Sequence, residues 1–244
     1  MQNLKKVIFV VFVLINLSLN AQWNWEKIEG NGKIKKENRT TENFTSISCS
    51  GSWDVMVAYG NTCTVNIEGD ENLIEYIETK VEGSKLSIKN KKNANLRSKN
   101  KLVVYVTLTK LTELSLSGSG DIIGEGKFVS NEPLLCKLSG SGNIKMGIEK
   151  SASVECTVSG SGNIEVSGNT DKLEASISGS GNVNCSNLYA NSAKARISGS
   201  GNIRVFTNKS IDASISGSGN VYYKGAPDDI QKRVAGSGKL VKAS

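Results

Sequence analysis

The sequence predicts an all-β protein built as a parallel β-solenoid with coils of about 20 residues. Two observations support this fold: a tetrapeptide that recurs at nearly constant spacing, and apolar residues that alternate with polar ones around each copy. Repeats of this length are typical of proteins in which each repeat is one structural unit that stacks on its neighbours. Ser-Gly-Ser-Gly begins at Ser117, Ser139, Ser159, Ser178, Ser198 and Ser216, and Ala235–Gly238 is a seventh, variant copy.

The residues on either side of the tetrapeptide alternate between apolar and polar. The position just before it holds Leu116, Leu138, Val158, Ile177, Ile197, Ile215 and Val234. The position five residues after its first residue holds Ile122, Ile144, Ile164, Val183, Ile203, Val221 and Leu240. Alternation of this kind predicts strands with one buried face. The repeat predicts that equivalent residues of successive coils lie in parallel strands about 4.8 Å apart.

The tetrapeptide is interpreted as a bend in each coil. Its glycines allow positive φ or a close approach between two backbones. The next residue is Asn143, Asn163, Asn182, Asn202 or Asn220 in five of the coils, which predicts a hydrogen-bonded ladder of amides. A phosphate-binding loop is excluded, because such a loop occurs once and is followed by a lysine and a helix. Calcium-binding repeats are excluded because Asp121 alone brings a carboxylate to the ladder position.

Residues 43–116 are predicted to be an irregular, β-rich first half of the solenoid. Strands are expected at Cys63–Glu68, Lys85–Lys89 and Leu102–Val106, and a short helix from Asp70 to Ile77. Ser50–Trp53 resembles a degenerate tetrapeptide in which Trp53 replaces the last glycine.

Residues 117–244 are predicted to be the regular half of the solenoid, ending in a capping coil. The ends of a solenoid expose unpaired strand edges, so both ends are expected to be capped. In the last coil Pro227, Asp228 and Asp229 interrupt the pattern, and Lys232 stands at a core position.

The amino terminus predicts export. Residues 1–21 have the parts of a secretory signal peptide: Lys5 and Lys6, an apolar stretch from Val7 to Leu19, and Ala21 at the cleavage position. The apolar stretch is shorter than the roughly 20 residues of a membrane-spanning helix. Residues 22–42 then form an amino-terminal extension, and no later segment is apolar enough to span a membrane.

Composition excludes several classes of function. The chain has no histidine, which excludes the Ser-His and Cys-His nucleophile systems and histidine-ligated metal sites. The net charge of +7 is a mild excess, and no basic stripe or recognition helix indicates a nucleic-acid partner. We expect no cofactor, no metal site and no catalytic residues.

The chain resembles the GIN-domain family, the head domains described for autotransporter adhesins of Bacteroidetes. The motifs that carry the resemblance are Phe44–Ser48, Val55–Val57, Val65–Leu73, Leu86–Ile88 and the serial Gly-Ser-Gly-Asn-Ile units, and they span residues 43 to 225. The resemblance implies a right-handed β-helix-like fold. It also implies an exported protein in the periplasm, on the outer-membrane surface or outside a Gram-negative cell.

The chain has five cysteines, and their disulfide state is left open for Cys49, Cys63 and Cys185. Cys136 and Cys156 share one column on neighbouring coils, so their Cα atoms are expected near 5 Å apart, within bridging range. The same column holds alanines, and a free cysteine packs as a small apolar residue. We favour the unbridged form.

A basic segment between residues 85 and 101 contains seven positive charges and no acid: Lys85, Lys89, Lys91, Lys92, Arg97, Lys99 and Lys101. It is either a solvated loop that joins two strands or a contact for an anionic glycan or lipid headgroup. For the second interpretation the candidate contacts are Lys91, Lys92, Arg97 and Lys99.

Three functions remain open. The first is a non-enzymatic, adhesin-like envelope protein that binds glycans or surfaces through a rigid solenoid face. The second is a structural or assembly protein that binds another envelope protein. The third is a carbohydrate-active enzyme, for which Glu155 and Glu174 on adjacent coils are the nearest approach to a catalytic carboxylate pair. Neither the ligand nor the oligomeric state follows from the sequence.

Overall fold

The computed structural model describes residues 26–91, 94–129 and 131–243, so the predicted signal peptide lies outside the described residues. The first half contains β1 (Glu26–Glu29), β2 (Ile34–Arg39), β3 (Ser46–Ser50), β4 (Asp54–Tyr59), β5 (Thr64–Asp70), α1 (Glu71–Ile74), β6 (Ile77–Glu82), β7 (Lys85–Asn90), β8 (Ala94–Arg97) and β9 (Val103–Leu108). The second half contains β10 (Glu113–Gly118), β11 (Asp121–Val129), β12 (Leu134–Gly140), β13 (Asn143–Gly160), β14 (Asn163–Gly179), β15 (Asn182–Gly199), β16 (Asn202–Gly217), β17 (Asn220–Lys224), β18 (Asp229–Gly236) and β19 (Lys239–Lys242).

The second half is a regular stack of coils. Strands β13 to β16 each bend around almost one whole coil and pair in parallel with their neighbours. Equivalent residues of the tetrapeptide lie side by side, Ser159 opposite Ser178 and Ser178 opposite Ser198. This register confirms the predicted β-solenoid with coils about 20 residues apart. A slip of one residue would turn every buried side chain of a strand out to solvent, so the apolar columns fix the register.

The first half continues the stack in a different order along the chain. Strands β3 and β4 pair in parallel with β10 and β11, and β7 and β9 pair in parallel with β3 and β4 on the other side. Beyond these, β6, β5 and β2 add in antiparallel pairs. The coil formed by β3 and β4 is therefore covered by β7 and β9, which come later in the sequence.

The degenerate tetrapeptide and the strands of the first half are confirmed. Gly51 lies against Gly118, and the backbone of Trp53 lies against Gly120, as the alignment of Ser50–Trp53 with the repeat requires. The predicted strands correspond to β5, β7 and β9, with ends that shift by one or two residues. The predicted helix is shorter than expected. It spans only Glu71–Ile74, and Ile77 begins β6 instead.

The interior is filled by aliphatic side chains that stack in columns across the coils. One column contains Val154, Leu173, Ala193 and Ile211, all at most 4% exposed. The strands of the regular half contact mainly those of the adjacent coils, so the apolar burial that stabilises the fold accumulates coil by coil.

The tetrapeptide corner requires both of its glycines, for different reasons. Gly179 has φ 129°, a conformation that residues with a Cβ rarely adopt. At Gly181 a Cβ atom would lie 2.2 Å from the carbonyl oxygen of Gly162 in the preceding coil. The amides of Ser180 and Gly181 both donate to the carbonyl of Gly160 at 2.9 Å. The corner therefore holds successive coils together through backbone contacts that only glycine permits.

The two ends of the solenoid differ. At the amino-terminal end, β2 and α1 lie beside the outermost strands, and the Arg39 guanidinium donates hydrogen bonds to the carbonyl oxygens of Ile74 and Ile77. These contacts satisfy backbone acceptors that a solenoid end would otherwise leave open.

At the carboxy-terminal end, every residue of β18 is exposed. Ile230 is 47% exposed, although its neighbour in the preceding coil, Ile211, is 1% exposed. Lys232 stands beside Ala213 in a column that is apolar elsewhere. A lysine on an edge strand disfavours the addition of another strand. No element among the described residues covers this coil.

Asp70 joins three segments of the first half. Its buried carboxylate accepts hydrogen bonds from the amides of Gly32, Lys99 and Asn100 and from the side chain of Asn100, at 2.6 to 3.2 Å. Burial by itself would raise the pKa of the Asp70 carboxyl, but these hydrogen bonds together hold the pKa below its ordinary value. The ionised carboxylate therefore fixes the end of the basic segment to the start of the described chain.

Replacing Gly181 by Ala is expected to destabilise the solenoid. The added Cβ must displace the carbonyl of Gly162, and overpacking of this kind costs about 1–3 kcal/mol. Urea unfolding measures the change. The matched control is Ser180→Ala, at an exposed position of the same tetrapeptide, which should unfold within about 0.5 kcal/mol of the parent. Equal unfolding midpoints for the two variants would contradict the role assigned to this contact.

Replacing Asp70 by Asn is expected to destabilise the first half by about 1–3 kcal/mol at neutral pH, because the amide cannot satisfy all four donors. Since the folded pKa is lowered, the stabilisation is present above the unfolded pKa of about 3.9 and is lost as pH falls through the folded value. Thermal unfolding between neutral pH and about pH 3 should therefore show the two proteins converging in acid. Asp228→Asn, at an exposed position, is the control. A difference that persists unchanged at the lowest pH would refute the ionic role of Asp70.

Candidate functional site

The predicted amide ladder runs along one outer face of the solenoid. The side-chain amides of Asn163 and Asn182 donate to the preceding Asn143 and Asn163 at 2.9 Å. The bonds lengthen to 3.3 and 3.4 Å at Asn202 and Asn220. Backbone amides of Asn202 and Asn220 donate to the same side-chain oxygens. The ladder is therefore confirmed, and it links side chains and backbone of successive coils.

Acidic residues set the direction of the ladder. Asp121 occupies the first ladder position, and its carboxylate accepts from the side chain of Asn143 at 2.8 Å. An ionised carboxylate only accepts, so Asn143 must turn its NH₂ group toward Asp121 and its oxygen toward Asn163. The following asparagines have the same orientation, with the side-chain NH₂ group directed toward the preceding asparagine. Asp54 extends the ladder beyond Asp121, because its carboxylate accepts a hydrogen bond from the backbone amide of Asp121. Asp54 also forms an ion pair with Lys101 at 2.9 Å.

A shallow groove of about 620 Å³ lies beside the ladder. We define the ladder face as Asn143, Asn163, Asn182 and Asn202 together with the second row Lys145, Glu165, Asn184 and Arg204. The second row is also in register from coil to coil. Lys145 and Glu165 lie 3.8 Å apart, and the Arg204 guanidinium lies 5.1 Å from the ring centre of Tyr222. Each ladder amide keeps one N–H that is not used within the row, so the face can donate hydrogen bonds to an extended ligand.

The basic segment is partly neutralised by its own neighbours. Lys85, Lys89 and Lys101 pair with Glu113, Glu78 and Asp54 at 3.5, 3.5 and 2.9 Å. The segment is also not simply a loop, because β8 pairs in parallel with β1.

The four candidate contacts of the basic segment have different surroundings. Lys91 lies over the ring of Tyr76 at 5.9 Å. Arg97 and Lys99 are exposed, and neither forms an ion pair within the part of the chain that the structure describes. The pKa of the nearby Glu29 is held below its ordinary value, first by a hydrogen bond from Lys27 and further by the charges of Lys99 and Arg97. Lys92 lies outside the described residues.

The carboxylates Glu155 and Glu174 are in register on adjacent coils, as the sequence predicts. Glu174 is paired with Arg196, and Asp212, farther along the same column, is paired with Arg233. A shallow groove of about 500 Å³ runs along this column. This column carries charges of both signs, and Glu174 and Asp212 are ion-paired, so it is a charged outer face. Its geometry gives no specific support for glycoside hydrolysis.

All five cysteines are free thiols. Cys136 and Cys156 are neighbours in register and fully buried. Hydrogen bonds with Cys136 and Cys185, together with burial, raise the pKa of the Cys156 thiol well above its ordinary value. Cys156 is therefore a protonated thiol of the core. Among the described residues no group of Cys, Asp and Glu is arranged to hold a metal ion, and no helix is long and apolar enough to span a membrane.

Sequence reasoning missed one surface feature. Tyr189 is 56% exposed and packs against Phe206 in the next coil, with ring centres 4.7 Å apart. The signal that could have found it is the change in repeat length, since the coil that begins at Asn182 has 20 residues and the next has 18.

Residues 43–227 match the family described as "Putative auto-transporter adhesin, head GIN domain". Comparison with curated proteins gives no match.

Three crystal structures share the fold. A "putative adhesin" of Bacteroides fragilis has a TM-score of 0.83 at 22% identity, over 88% of this chain and 100% of that one. A "Putative lipid binding protein" of Parabacteroides distasonis has a TM-score of 0.75 at 29% identity, over 90% and 100%. A "putative adhesin" of Parabacteroides merdae has a TM-score of 0.70 at 22% identity, over 90% and 100%. Since the family model spans most of the sequence and these structures share its fold, the chain belongs to the GIN-domain family.

Proposed function

We propose that this protein is an exported, non-enzymatic, adhesin-like head that binds a surface polysaccharide along its ladder face. The observation that carries the proposal is the repetition of the same amide, in register, over successive coils beside a groove of about 620 Å³. A ligand that repeats along its length can make the same weak contact at every coil, and weak contacts that act together give a useful overall affinity.

The rigidity of the ladder face supports this proposal. Its amides are held by hydrogen bonds to their neighbours and to the backbone of the adjacent coil. Binding therefore orders few additional side chains, which reduces the entropic cost of association. The polar, partly charged second row suits hydroxyl and carboxylate groups of a glycan.

The basic segment supplies a second, electrostatic contact in this proposal. Lys91, Lys92, Arg97 and Lys99 would attract an anionic glycan, and Arg97 and Lys99 are exposed and form no ion pair among the described residues. Such attraction acts mainly at low salt, because exposed charges are screened over about 8 Å at physiological ionic strength.

Lipid binding is the second candidate, because the Parabacteroides distasonis structure at 29% identity is described as a "Putative lipid binding protein". In this chain the coil interior is occupied by buried aliphatic side chains. A lipid would therefore be bound through its headgroup, and the basic segment is the surface with the appropriate charge.

Binding of the purified protein to an array of polysaccharides at about 0.15 M salt tests the proposed function. The variant Lys145→Gln with Arg204→Gln should bind its polysaccharide about tenfold more weakly, because two charged contacts of the ladder face are removed. The control, Lys172→Gln with Lys209→Gln, makes the same change of charge at exposed positions on other faces. Equal losses for both variants would show that net charge, and not the ladder face, determines binding.

Neutralising Lys91, Lys92, Arg97 and Lys99 to Gln should weaken binding of an anionic polysaccharide at low salt and leave binding of a neutral one unchanged. Vesicles with and without anionic phospholipid, measured by sedimentation, distinguish a lipid headgroup from a glycan. Unchanged affinity for both the anionic polysaccharide and the vesicles would exclude a binding role for the basic segment.

A further inference from the structure

An exposed aromatic shelf is formed around Tyr189, about midway along the chain between the tetrapeptides that begin at Ser178 and Ser198. We define the Tyr189 shelf as Tyr189 and Phe206 with the polar residues Lys150, Asp171, Asn191 and Asn208. Tyr189 and these polar side chains line a depression of about 240 Å³. None of its residues lines the groove of the ladder face, so the two surfaces are separate.

A local irregularity of the coil places Tyr189 on the outside. Cys185 pairs with Val205, and Tyr189 pairs with Phe206, so three residues of β15 have no counterpart in β16. Extra residues in a strand form a bulge and turn the side chains that follow it in a new direction. The bulge carries Tyr189 outward to 56% exposure, the highest among the exposed aromatic side chains of the described residues.

The shelf is rigid. The rings of Tyr189 and Phe206 meet nearly edge to face, at an interplanar angle of 68°, which is a favourable arrangement for two aromatic rings. Asn191 donates to Asp171 at 3.0 Å, and its carbonyl oxygen accepts from the buried hydroxyl of Thr207 at 2.9 Å. The side chains of Asp171 and Asn191 are therefore positioned before any ligand binds.

This combination of groups matches the chemistry of a pyranose sugar. A pyranose ring has an apolar face of C–H groups and a rim of hydroxyls, and a tyrosine ring offers a flat apolar surface with a polar tip. Asp171 accepts hydrogen bonds, Lys150 donates them, and the amides of Asn191 and Asn208 do both. We propose that the Tyr189 shelf is a binding site for one pyranose unit of a neutral saccharide, with the sugar ring stacked on Tyr189.

The inference rests on the proposed function in taking saccharides as the ligand class, but it names a different surface and a different mode of contact. The ladder face would bind a chain through repeated polar contacts, whereas the shelf would bind one ring by stacking. The two sites can therefore be tested independently.

The experiment uses the full chain, expressed with its own amino terminus and purified as the cell processes it. Saturation-transfer NMR and calorimetry are carried out with soluble oligosaccharides of glucose, xylose, mannose and N-acetylglucosamine. We expect at least one of them to bind with its ring protons in contact with the protein. Tyr189→Ala should weaken that binding by about tenfold, the loss expected for one stacked aromatic face, and Tyr189→Phe should preserve most of it.

Two further variants make the result specific. Asp171→Ala should also weaken binding, because it removes an acceptor and frees the side chain of Asn191. Tyr105→Ala is the matched control, since Tyr105 is 38% exposed but lies in β9 in the first half of the chain. Thermal unfolding establishes that the variants are folded.

Binding that is unaffected by Tyr189→Ala would overturn the shelf as a site and leave the ladder-face proposal standing. Binding of none of the oligosaccharides would also overturn the shelf. If the polysaccharide array is silent as well, the proposed function fails with it.

Discussion

The close approach of successive backbones at the tetrapeptide corner is the constraint on which the structure depends. The carbonyl oxygen of Gly162 occupies the space that a Cβ of Gly181 would need, and the same relation recurs between Gly181 and Gly201. This contact sets the spacing of the coils and aligns the strands that leave each corner. Because the strands leave in register, apolar residues fall over apolar residues, and the buried columns reinforce the register that the corner sets.

The same alignment produces the surface from which function is inferred. Asparagine follows the corner in successive coils. The alignment of the coils therefore brings the side-chain amides within hydrogen-bond distance of one another. The carboxylate of Asp121 then orients the row, because it can only accept hydrogen bonds. A single backbone arrangement thus gives a rigid, repeating polar face, which is an appropriate surface for a repeating polymer. The protein departs from this regularity at Tyr189, and a departure from a regular repeat is where a specific site is expected.

The two halves of the molecule are stabilised by contacts of different sequence separation. In the regular half each coil is stabilised by the next one along the chain. In the first half, β7 and β9 cover β3 and β4, and the buried carboxylate of Asp70 joins residues near 32 and 100. Contacts of such long sequence separation form only after the chain has closed large loops, so this half depends on tertiary contacts more than the repeats do.

The sequence by itself determined the β-solenoid, the register of its coils and the amide ladder, because each follows from a short motif that recurs at fixed spacing. It also identified the basic segment as a candidate contact, although its pairing of Lys101 with Asp54 could not be foreseen. Only the tertiary structure decided the order in which the strands of the first half stack, and the exposure of β18 at the other end of the described chain. These features depend on which strands lie together across long stretches of chain, and the local alternation of apolar and polar residues carries no information about that choice.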